Sequence, residues 1–254
     1  MFTPDSRGQS EAAGVVLLLG IVILSLGALG ALGANSFDET EAGVSIEIAQ
    51  HELTRLAGEI EDVTLGGAPV KTISLDLDGA DGEGTTIVRE TAGNISIFVG
   101  DDSIYSGNLG VIEYENSGVR IAYQAGGVWR QSPTGHSEMV LAPPYTKENL
   151  STSTLSIPIT VVSGEDGLSK GAVIERVDAQ RLYPELEVSE EESVRISIQS
   201  RYYRAWGRYF VERLKVSEED VVTNPDENLV TVTYGENQRV FLHMTVYRVE
   251  VSSR

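Results

Sequence analysis

The pattern of apolar and polar positions changes period along this chain, and each change marks a different predicted element. Residues Ala12 to Ala34 form a run of 23 positions without a charge. At about 1.5 Å per residue, a helix of that length crosses a hydrocarbon core of about 30 Å. Asn35-Ser36 follows the run, with Ser36-x-x-Glu39 at the spacing of a capping box. From Glu39 to about Asp62, Val44, Ile48, Leu53, Leu56 and Ile60 recur at near-helical spacing, with Ala49 and Ala57 on the same stripe. Gly66-Gly67 closes the pattern. The two stretches together predict a long N-terminal helix over residues 9–66, transmembrane over 12–34. Continuous from Gln9 to Asp62, it would measure about 80 Å. Its outer stripe has two readings, packing in a filament or docking on the chain's own outer domain, and docking is taken for the outer half.

From Val70 the period falls to two. Thr72–Leu77, Val88 and its neighbours, Ile95–Val99, Val111–Tyr114 and Val119–Tyr123 alternate apolar and polar positions. Turn signals separate them: Asp78-Gly79, Asp81-Gly82, Gly93-Asn94, Asn116-Ser117-Gly118 and Gly126-Gly127. Pro143-Pro144 and the Thr/Ser-rich stretch 147–154 suggest two halves meeting near 143–154. Beyond them, strands are predicted near Leu155–Val162, Ala172–Leu182, Val194–Gln199, Leu229–Tyr234 and Val240–Val251. One short helix, Arg201 to Leu214, carries Tyr202, Trp206 and Tyr209 on one side, and its aromatics are read as packing on a sheet. The fold expected is therefore a long N-terminal helix followed by a mainly β, antiparallel sheet or sandwich over 67–254 with one aromatic helix.

Composition narrows the setting. The formal net charge is −19, with four lysines against fifteen arginines. Such a surface repels nucleic acid and anionic head groups, and suits a protein kept soluble in concentrated salt. There is no cysteine, so an outer domain must hold itself by packing and strand pairing. Arg7 precedes the apolar run, whereas Asp38, Glu39 and Glu41 follow it and no Lys or Arg appears until Arg55. That bias, of a single cation, favours an N-terminus in the cytoplasm and a C-terminal domain outside, an orientation that also leans on the resemblance given below.

Candidate chemistry is sparse. Asp76-Leu77-Asp78-Gly79-Ala80-Asp81-Gly82-Glu83 resembles a calcium loop, but Ala80 and Ile87 occupy ligand places of the template, and a hairpin loop is the better reading. His51, His136 and His243 are isolated. No nucleophile elbow, phosphate loop or dinucleotide fingerprint occurs, so neither a cofactor nor an enzyme is expected. Asn94-Ile95-Ser96 and Asn149-Leu150-Ser151 are sequons, making Asn94 and Asn149 candidate N-glycosylation sites. Within the apolar run, Gly27-x-x-x-Ala31 and Gly30-x-x-x-Ala34 place small residues one turn apart, where helix backbones can approach in lipid.

The junction Arg7-Gly8-Gln9-Ser10-Glu11 ahead of the apolar run resembles the class III signal of archaeal type IV pilins and archaellins. More loosely, Gly126-Gly127-Val128-Trp129, Leu155-Ser156-Ile157-Pro158-Ile159 and Tyr203-Arg204-Ala205-Trp206 resemble haloarchaeal pilin-like surface proteins. The resemblance implies that residues 1–8 are a leader, cut by a prepilin peptidase after Gly8 to leave Gln9 as the new N-terminus. The apolar segment would then stay on the mature protein as anchor and as contact with other pilin-like subunits. Bacterial type IV pilins place a glutamate at the fifth mature position, whereas Glu11 would be the third. Glu11 is either a head-group-level residue or a partner for the free amine of a neighbouring subunit, since an unpaired charge in hydrocarbon costs about 2.5–3.5 kcal/mol. Two functions follow: a filament subunit with a role in adhesion, or a single-span surface protein that never assembles and presents its β domain to a ligand.

Overall fold

The computed structural model describes residues 43–77, 84–149, 153–166, 168, 170–235 and 239–254, and Ser45–Arg254 form one compact unit. Its first helix, α1, runs over residues 43–64. Ile46, Ala49, Leu53, Leu56, Ala57, Ile60 and Val63 are buried along one stripe of it, in a cluster with Ile73, Leu75, Ile112 and Tyr114 of the strands. Gly66 follows the last turn of the helix at a close approach to it that needs glycine, since a Cβ there would lie 2.2 Å from the Asp62 carbonyl oxygen.

This corrects the expected fold class. The described residues begin at 43, already inside α1, and no helix among them is long and apolar enough to cross a membrane. The physical reason lies in the stripe: every turn of it is used against the chain's own strands, so α1 is a component of the β domain and not the outer half of a rod. The 12–34 run lies outside the described residues.

The rest is a β-rich domain, consistent with a β-sandwich, of three five-stranded sheets. In chain order the strands are β1 (Val70–Ser74), β2 (Thr85–Arg89), β3 (Gly93–Val99), β4 (Asp102–Asn108), β5 (Val111–Asn116), β6 (Val119–Gln124), β7 (Gly127–Gln131) and β8 (Ser137–Leu141). There follow β9 (Thr146–Asn149), β10 (Ser153–Gly164), β11 (Gly171–Val188), β12 (Val194–Ser200), the helix α2 (Tyr203–Glu212), β13 (Val221–Asn224), β14 (Leu229–Tyr234) and β15 (Val240–Ser253). The first sheet has the order β1-β11-β15-β10-β9, the second β13-β14-β12-β3-β4 and the third β2-β5-β6-β7-β8.

The expected all-antiparallel sheet needs a second correction. β10 and β15 pair in parallel from Ser153↔Val240 to Gly164↔Val251. Alternation reports which face of a strand is buried and carries no direction, and the long excursion through β11 to β14 supplies the crossover that a parallel pair requires.

Two cores explain the layering. One gathers α2, the second sheet and Leu155, Ile157, Leu242, Met244 and Val246 of the first. The other gathers α1 with Val162, Ala172, Ile174, Val249 and Val251. In β15 the buried positions run 242, 244, 246 and then 249, 251, so the strand turns one face to the first core and the opposite face to the second. The third sheet lies between the cores: Val111, Ala122 and Trp129 face one, and Ile112, Tyr123 and Val128 the other. Its hairpins are tight. Ser117-Gly118 (φ 50° and 77°) and Ala125-Gly126 (φ 51° and 88°) hold both central residues at positive φ, as the two-residue turn that matches strand twist demands.

Candidate functional site

Among the described residues, a partly polar hollow lies along β4, at the free edge of the second sheet. It measures about 370 Å³ and is lined by Tyr105 to Asn108 of β4, Glu90 and Thr91 of the turn before β3, Val161 to Ser163 of β10, Val177 of β11 and Arg248 of β15. That volume falls within the range of small-ligand pockets, about 300–1,000 Å³.

Its geometry starts from one strand. Residues two apart in a strand share a face, and here Tyr105 and Gly107 do. A Cβ at 107 would stand 2.4 Å from the Tyr105 hydroxyl, so glycine leaves the space across which the phenol ring lies. Burial pushes the Tyr105 hydroxyl above its ordinary range, while the nearby Arg248 charge pulls it down. Arg248 Nη1 donates to Asp178 Oδ2 at 2.9 Å, both side chains about half exposed. The ion pair bridges β15 and β11, fixing the guanidinium on the groove wall. On the other side, Ser96 and Ser106 sit opposite each other across β3 and β4, with their hydroxyl oxygens 3.0 Å apart. The groove thus offers a half-buried aromatic ring, a neutralised cation with spare N–H donors, and Glu90 and Ser163 along its wall.

A second polar cluster is built around a buried carboxylate. The carboxylate of Glu113, 3% exposed, accepts a hydrogen bond from the Tyr202 hydroxyl at 2.6 Å. Arg120 Nε and Arg201 Nη1 each stand 3.6 Å from its other oxygen. Burial raises the Tyr202 pKa well above the ordinary tyrosine value, and the Glu113 charge raises it further. Beside it, Ser200 Oγ donates to Gln124 Oε1 at 2.6 Å, and Gln124 Nε2 donates to the Ala92 carbonyl at 3.3 Å. The cluster ties the third sheet to the entrance of α2.

Of the residues singled out from sequence, Asn94 is described in β3, half-buried, where its Oδ1 accepts from Ser96 Oγ at 3.0 Å. It faces Asn108 of the groove strand across the pair. Asn149 ends β9, its backbone paired with Ser153, and Leu150 and Ser151 lie outside the described residues. Gly8, Gln9, Glu11, Gly27, Gly30, Ala31 and Ala34 lie outside them too, as does 78–83 of the loop compared with a calcium site. Among the described residues no group of three or more His, Cys, Asp or Glu side chains could hold a metal ion.

A family model described as a family of unknown function (DUF7289) matches residues 7–252. The chain belongs to DUF7289. No curated protein matches it significantly, and no solved structure does. The DUF7289 match begins at Arg7, so it takes in the junction and the apolar run along with the β domain. Sequence reasoning missed the groove of this DUF7289 chain. Tyr105, Asp178 and Arg248 meet only through pairing of distant strands, and the local signal, an aromatic two positions before a glycine, is faint.

Proposed function

We propose that this chain is a type IV pilin-like structural subunit of the cell surface, with a structural rather than catalytic role. In this reading prepilin peptidase cuts between Gly8 and Gln9. The apolar segment 12–34 stays on the protein and holds it in the membrane, with the acidic β domain outside. Subunits meet through that segment, at Glu11, Gly27, Gly30, Ala31 and Ala34, and the domain mediates adhesion. The observation that carries the reading is the junction Arg7-Gly8-Gln9-Ser10-Glu11 directly ahead of 23 uncharged positions. The extent of the family match, 7–252, supports it, because the junction and the domain share one family sequence.

A second reading, a single-span surface protein that does not assemble, is favoured by α1. Most of its apolar stripe, from Ile46 to Val63, is spent on the chain's own strands and is not free for a neighbouring subunit.

The test is Gly8→Trp expressed in the native host, with the mass of the recovered protein and the content of sheared surface filaments as readouts. The proposal expects a wild-type protein lacking eight residues, a variant of full mass, and loss of the sheared fraction in the variant. Full mass in both would contradict the processing. A shortened wild type confined to membranes would select the non-assembling reading.

A further inference from the structure

We propose that the groove along β4 binds a neutral saccharide. The inference rests on the surface-exposed placement proposed above only for where the ligand is met; the site itself is built entirely from described residues. A pyranose ring is amphipathic, with an apolar C–H face and a rim of hydroxyls that both donate and accept hydrogen bonds. The groove is amphipathic in the same sense. Tyr105 lays a half-buried ring along β4 over Gly107, whose missing side chain makes the space for it, and an aromatic ring with one polar end suits a ligand with one apolar face. Around it stand residues that can satisfy hydroxyls, Ser163, Glu90 and Arg248, with the exposed backbone edge of β4. Arg248 uses one of its five N–H donors on Asp178, so the others remain for a ligand oxygen in a fixed direction.

Charge decides against the competing ligand classes. The cation of the groove is already neutralised at 2.9 Å by Asp178, and Glu90 adds a negative charge, so a phosphate or sulfate meets no net attraction in a protein of charge −19. The apolar lining is limited to Val161, Val162 and Val177 beside the tyrosine, too little for an acyl chain. A broader hollow beside α2, about 600 Å³ between Arg204, Arg208, Glu212 and Glu218, has no aromatic wall.

Saturation-transfer NMR on the full chain, in detergent and high salt, tests the inference with glucose, galactose, mannose and N-acetylglucosamine as separate probes and inorganic sulfate as competitor. At least one sugar is expected to bind with transfer to its ring C–H protons. Tyr105→Ala and Arg248→Gln are each expected to weaken that binding at least tenfold with the circular dichroism spectrum unchanged, and sulfate is expected not to compete. Arg248 is half exposed, so its variant folds even where the tyrosine variant does not. The inference is overturned by no transfer from any of the four sugars, by sugar binding insensitive to both variants, or by displacement with sulfate. None of these results depends on cleavage after Gly8, so the groove and the processing can fail separately.

Discussion

Glu113 is a buried carboxylate set against a tyrosine hydroxyl and two arginines, so its neighbours are more sensitive to change than any surface ion pair of the molecule. Tyr202 is the clearest probe. Its pKa is raised in the folded protein, so the folded state holds the phenolic proton more tightly than the unfolded chain, which releases it near pH 10. The stability from that difference is complete below about pH 10 and is lost as pH rises from there toward the folded pKa. Tyr202→Phe removes a hydrogen bond to a charged acceptor and is expected to cost about 1.5–3 kcal/mol at neutral pH. It should also make the alkaline fall in stability shallower. Tyr123, Tyr145 and Tyr209 are likewise raised by burial, so part of the fall persists. Denaturant titrations of both proteins from pH 7 to 11 check this; equal stability and an identical alkaline slope would show that the hydrogen bond contributes nothing.

At the scale of elements, α1 separates two pictures of the N-terminal region. Leu53 and Leu56 have no exposed surface and sit in the core shared with the first and third sheets. Leu53→Ala is expected to lower the stability of the whole β domain by about 2–5 kcal/mol, read as a shifted denaturation midpoint of the strand signal. A variant that loses helix content while the strand transition stays in place would mean that α1 is an appendage. Legibility in the sequence also divides by element. Strands with one buried face, such as β12 with Val194, Ile196 and Ile198 inward, announced themselves by alternation, and the turns Ser117-Gly118 and Ala125-Gly126 by their glycines. In the third sheet β5 and β6 were read from their alternation, whereas β7 is buried at all but one position, leaves no alternating face to read, and went unread together with β8. β4 carries Gly107 and several polar residues and gave no strand signal, and the groove it supports stayed hidden with it. The stripe of α1 was visible from Leu53, Leu56 and Ile60, and its docking on the chain's own strands, the reading taken for this outer half, is what the shared core shows.

For the whole molecule, an acidic, cysteine-free β domain of two cores shares one family sequence, matched over 7–252, with an uncharged run of 23 residues. Where the chain is cut decides between keeping that run and discarding it. The most direct measurement is the N-terminal residue of the protein recovered from the cells that make it. Gln9 at the start, with the apolar run retained behind it, is the result expected; a start beyond Ala34 would remove the anchor and the contact surface together and contradict the account.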